Sequence, residues 1–92
     1  MLKVEYTKRM KQDVKRVIKR RKDLSKLKYV LNILADEKTL PAQYRDHKLS
    51  GDKTGLRECH IEPDWLLIYK IIEDELILLA TATGTHSDLL GL

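Results

Sequence analysis

The sequence contains no phenylalanine, one cysteine, two prolines and four glycines in 92 residues. Each shortage excludes something. Cys59 cannot close an internal disulfide, so stability has to come from a packed core, and a reducing compartment is expected. There is no C-x-x-C and no H-E-x-x-H. Cys59 and His60 are neighbours on a candidate strand, so their side chains point to opposite faces and no metal centre is expected. With one tryptophan and four tyrosines as its aromatics, the chain does not look like an RNA binder built on an aromatic platform. No apolar run approaches the ~20 residues of a membrane span. Met1-Leu2-Lys3-Val4-Glu5-Tyr6 lacks the apolar core and cleavage site of a signal peptide, so no membrane partner and a cytoplasmic location are expected.

What is present suits a single domain covering residues 1–92, with one core and its function on the surface or edge of that core. The net charge of +4 is unevenly distributed. Residues 1–28 carry 12 Lys and Arg against Glu5, Asp13 and Asp23, a balance of +9, whereas residues 29–92 carry −5. A basic first third suits a polyanion or an acidic protein partner, although two helices with solvated outer faces would show the same composition.

Leu2, Val4 and Tyr6 alternate with Lys3 and Glu5, the pattern of a short half-buried strand. Thr7 is placed to cap a helix with Met10, Val14, Val17 and Ile18 on its apolar face. Asp23 is placed to cap a second helix with Leu24, Leu27, Val30, Leu31 and Leu34 inward, and the short turn between them predicts an antiparallel helical hairpin. Leu40-Pro41 ends helical character. Leu56–Ile61, Trp65–Ile72 and Glu75–Thr81 then read as strands, the second buried on both faces. Glu73-Asp74 is the expected hairpin turn, and Ser87–Leu90 a terminal helical turn. The fold class is α+β: a strand, a helical hairpin, then an antiparallel sheet of about three further strands, with helices on one face and the other free for a ligand.

The three histidines lie in polar or strand-end segments. His47 follows Tyr44-Arg45-Asp46, His60 precedes Ile61-Glu62-Pro63-Asp64, and His86 closes Thr83-Gly84-Thr85. Folding of the hairpins brings strand ends to one edge, where imidazoles supply acid and base near neutral pH. Pro63 marks a bend that leaves Asp64 at the sheet rim, either capping the turn or orienting a base. Cys59 and Trp65 read as core residues. Ser50-Gly51-Asp52-Lys53-Thr54-Gly55 lacks P-loop spacing and precedes a strand, which argues against nucleotide binding.

Four segments together resemble the YafQ branch of the RelE/ParE toxins. They are Tyr44–Gly51, Gly55–Ile61 and Glu62–Lys70, with H-I-E-P-D-W running across the junction of the last two, and Thr83–Gly91 with T-G-T-H. The strand and helical hairpin at the start also match that layout. The resemblance implies a toxin paired with a cognate antitoxin, acting as a ribosome-dependent endoribonuclease on mRNA with no metal or other cofactor. It assigns His47, His60, Asp64 and His86 as catalytic, with His86 and Asp64 as the principal proton-transfer pair, and points to Arg57, Lys48 and Lys53 as phosphate-binding. Strand alternation alone would put Arg57 on the face opposite His60. The chain departs from the pattern at Ala82, where the family usually carries arginine before T-G-T-H, and at Leu90, where an aromatic is common. The first departure implies weakened or absent activity. A non-catalytic module, directed at gyrase or RNA, is the alternative reading on the same fold.

Overall fold

The computed structural model describes residues 1–50 and 55–91. In order the elements are β1 (Lys3–Tyr6), α1 (Lys8–Lys19), α2 (Leu24–Ala35), β2 (His47–Lys48), β3 (Arg57–Glu62), β4 (Trp65–Ile72), β5 (Ile77–Gly84) and α3 (His86–Leu90). The strands form one sheet in the order β1-β5-β4-β3-β2. β1 runs parallel to β5, and the other pairings are antiparallel. The α+β expectation holds, with two additions: β2, a two-residue edge strand carrying His47, and the parallel docking of β1.

Both helix starts are chemically specified. Thr7 Oγ1 accepts the Met10 N–H at 3.0 Å and donates to the Thr81 carbonyl at 2.7 Å, so the cap also ties α1 to β5. Asp23 accepts the Ser25 N–H at 2.9 Å. An N-cap of this kind stabilises by about 0.5–2 kcal/mol. The α2 face is as expected, with Leu27, Val30, Leu31 and Leu34 buried. The α1 face is not. Ile18 is 52% exposed, whereas Asp13 is buried with Met10 and Val17. Asp13 lies three residues after Met10 and four before Val17, so it shares their stripe. Its burial is satisfied by the Thr83 N–H at 3.1 Å and by Arg9 and Arg16 at 3.5 and 3.3 Å.

The core lies between this helical layer and one face of the sheet. Cys59, Ile61, Trp65, Leu67, Tyr69, Leu78 and Ala80 face Met10, Val17, Leu27 and Val30. The turn between β4 and β5 is longer than expected. Glu73–Glu75 form a 3-10 turn and Leu76 adopts a left-handed conformation at φ 54°, so β5 begins at Ile77 and not at Glu75. Between β3 and β4 the chain reverses through Pro63-Asp64 alone, with Glu62 opposite Trp65. That tight reversal pushes Asp64 out at the rim.

Candidate active site

The sheet face opposite the helices collects the histidines. Side chains alternate along a strand, and the register makes His47, Glu58, Ile68 and Ala82 one transverse row, because each is paired with the next. The adjoining row holds His60, Leu66 and Gly84. A bulge that adds Thr81 to β5 sets the phase. Ala80 pairs with Tyr69 but Ala82 pairs with Ile68, so Thr83 rejoins the core side and Ala82 the outer side. Leu66, Ile68 and Ala82 give this face an apolar floor, all buried.

Each imidazole is anchored through Nδ1. His47 Nδ1 lies 2.7 Å from the Arg45 carbonyl, which only accepts, so this nitrogen carries the donated proton. Arg45 reaches that position in a left-handed conformation at φ 48°. His60 Nδ1 lies 3.3 Å from the Pro63 carbonyl. His86 Nδ1 donates to Asp64 at 2.6 Å, and the His86 backbone N–H reaches the same carboxylate oxygen at 2.8 Å. These two bonds hold the Asp64 carboxyl below the usual carboxylate range, the backbone bond contributing most. In all three rings Nε2 is therefore the nitrogen left for proton transfer. The His60 and His86 ring centroids are 5.6 Å apart.

Glu58 was not singled out from the sequence, yet it links the set. One of its oxygens lies 3.6 Å from His47 Nε2 and 3.8 Å from His60 Nε2. The Glu58 residue is 8% exposed. The signal was available: residues two apart on a strand share a face, so Glu58 accompanies His60. The same parity puts exposed Lys70 on the face of Leu66 and Ile68.

The expected phosphate-binding residues are placed elsewhere. Arg57 pairs with Tyr69 on the helix-facing side and is bound by Asp46 at 3.2 Å and by the Tyr69 hydroxyl at 3.2 Å. Lys48, opposite Arg57, shares that side. Neither cation joins the histidines, and Lys53 lies outside the described residues. Cys59 is buried in the core, and burial pushes its thiol up to about 12, which removes it as a nucleophile. Among the described residues no group of three or more His, Cys, Asp and Glu is arranged to hold a metal ion.

The C-terminal arm that presents His86 is built tightly. Thr85 caps α3 by accepting the Asp88 N–H, and Asp88 returns a bond to the Thr85 N–H at 3.0 Å, a reciprocal capping box. Gly84 sits at φ 155°, and a Cβ there would come within 2.8 Å of the Asp88 carboxylate. Glycine is required at that position by contact. The T-G-T-H string thus reads, residue by residue, as a core anchor, a clearance, a cap and an imidazole held by Asp64.

A small α+β domain with a basic helical hairpin and an acid–base cluster on the open sheet face has the build of a bacterial toxin of the RelE/ParE kind. Residues 2–91 match the family described as "Bacterial toxin of type II toxin-antitoxin system, YafQ", and the chain belongs to that family. It is similar to the "mRNA interferase toxin YafQ" of Escherichia coli K12, with 45% identity over 96% of this chain and 95% of that protein. Among solved structures it resembles the E. coli DinJ–YafQ complex, with TM-score 0.90 and 42% identity over 99% of this chain and 100% of the other. It also resembles a toxin from Helicobacter pylori described as metal-bound, with TM-score 0.92 and 40% identity over 97% and 99% of the two chains.

Proposed function

We propose that this toxin is a ribosome-dependent endoribonuclease that cleaves mRNA by metal-independent transphosphorylation, held silent in the cytoplasm by a cognate antitoxin. The observation that carries the reading is the common anchoring of His47, His60 and His86 through Nδ1, which leaves three Nε2 atoms outside the anchoring bonds, two of them facing Glu58. A non-enzymatic binder has no need of such tautomer control. The names of the relatives, an mRNA interferase and a toxin bound to DinJ, point the same way.

In the proposed step a base takes the proton from a ribose 2′-hydroxyl as that oxygen attacks the adjacent phosphorus. The bond to the 5′-oxygen of the next nucleotide breaks, and an acid protonates the departing oxygen. A 2′,3′-cyclic phosphate and a 5′-hydroxyl result. His86 and His60 are assigned as the acid–base pair. Asp64 serves by orienting His86, because both of its bonds go to that residue. His47 and Glu58 tune the field beside His60. Lys70, an exposed cation on this face beside Gly55, is assigned to the substrate phosphate.

Ala82 lies in the row of Glu58 and His47, so an arginine there would reach across the same floor. Its absence removes a donor for the phosphorane charge, a loss that costs on the order of 10²–10³ in rate at comparable sites. Primer extension on a defined mRNA with purified ribosomes tests the assignment. Codon-positioned cleavage is expected to rise with Ala82→Arg and to vanish when His86→Ala is added. Absence of cleavage by every form would replace the nuclease with the non-catalytic reading.

A further inference from the structure

The residue that holds α3 in place is far away in sequence. Arg20, the C-cap that follows α1, reaches across to Asp88 and makes a two-pronged contact with its carboxylate, the second prong at 3.1 Å. Arg16, one helical turn earlier, stands 4.0 Å from the same carboxylate. Asp88 is the residue that returns the capping bond to Thr85 and packs against Gly84. Arg20, Asp64, Trp65, Gly84 and Thr85 line one small crevice, so Arg20 stands near Asp64 as well as Asp88, the two carboxylates that bond the first residues of the His86 turn. The Arg20 contact draws the Asp88 carboxyl well below its ordinary range. α3 itself is only five residues long. A helix of that length has no stability of its own and is held where its attachments hold it.

We propose that Arg20 is a positioning residue for the reaction: through Asp88 it clamps α3 so that His86 keeps its bonds to Asp64 and its ring stays beside that of His60. This rests on the nuclease reading for its catalytic consequence but not for its structural one. Arg20 is exposed on one side and outside the core, so its replacement is expected to leave the core packing intact.

The test compares Arg20→Gln and Arg20→Lys with the parent chain, each also carrying Ala82→Arg, by two measurements. Hydrogen exchange at the His86 amide reports whether its bond to Asp64 persists, and steady-state cleavage of ribosome-bound mRNA separates kcat from KM. Arg20→Gln is expected to speed exchange at His86 and to lower kcat on the order of 10–10²-fold with KM unchanged, as small misplacement of a catalytic group does. Arg20→Lys, which keeps the charge but loses the two-pronged geometry, is expected to fall between. Unchanged exchange at His86 would overturn the clamp even if the rate fell. A rise in KM at constant kcat would make Arg20 a ribosome contact and overturn it too. Should no form cleave mRNA, the nuclease reading fails while the exchange measurement still decides the clamp.

Discussion

Single side chains on the open face divide into those that hold others in place and those proposed to move protons. Glu58 stands between two imidazoles on a buried floor, where charge is poorly screened by water. Glu58→Gln keeps the shape and removes the charge. It is expected to reduce mRNA cleavage by about tenfold to a hundredfold and to move the pH–rate profile, which primer extension across a pH series checks. Asp88 gives a second prediction. Its carboxyl is depressed first by the Arg20 contact and then by the Thr85 backbone bond. A depressed carboxyl adds stability above its unfolded value and loses it as pH falls through the folded one. Asp88→Ala is therefore expected to lower the urea midpoint at pH 7, and the gap from the parent is expected to close as pH drops below about 4. Much at this scale could be read in advance. Asp64 at the rim, Cys59 in the core and Arg57 opposite His60 all follow from strand alternation and one proline. Glu58 obeys the same rule but carries no motif. Arg20 could not be found from spacing, because its partner lies 68 positions away.

Elements were recoverable where their pattern was long. α1 and α2 have full amphipathic periods and named caps, and β4 is a continuous apolar run. β2 has two residues and no period, so only its pairing with β3 defines it. The exchange of Ile18 for Asp13 on the buried face of α1 has a tertiary cause. The β5 bulge leaves the Thr83 N–H pointing at α1, and Asp13 is there to accept it. At the same point the Thr83 hydroxyl donates to the Leu66 carbonyl at 2.6 Å and accepts the Trp65 indole N–H at 2.9 Å. Thr83→Val matches the volume but strands both partners in a fully buried place. It is expected to destabilise the fold by about 1–3 kcal/mol in chemical denaturation.

Across the molecule most of the helical cations and the histidines lie on opposite sides of the sheet, with Arg20 at the end of α1 the link between them. The cations of α1 and α2 coat the helical layer, while the histidines occupy the opposite face of the sheet. Lys8, Lys11 and Lys15 are exposed on α1. Contact of this layer with ribosomal RNA is expected to weaken steeply with salt, and each of these lysines that touches a phosphate is expected to lower the slope of log K against log salt by about 1 when changed to glutamine. Filter binding to purified ribosomes at several salt concentrations measures it. The charge asymmetry was plain in the sequence. Its position relative to the site was not, because only the sheet order fixes which layer the helices cover.

That sheet order also sets when the site comes into being. β5 is the central partner of β1 and β4, yet it follows them both in the chain. During synthesis, a chain that has emerged only through β4 holds His47, Glu58, His60 and Asp64 but no His86, and its first strand has nothing to pair with. The strand made last of the five completes the sheet and brings His86 to the other histidines in the same event, so on the proposed nuclease reading a chain without it lacks one of its acid–base groups.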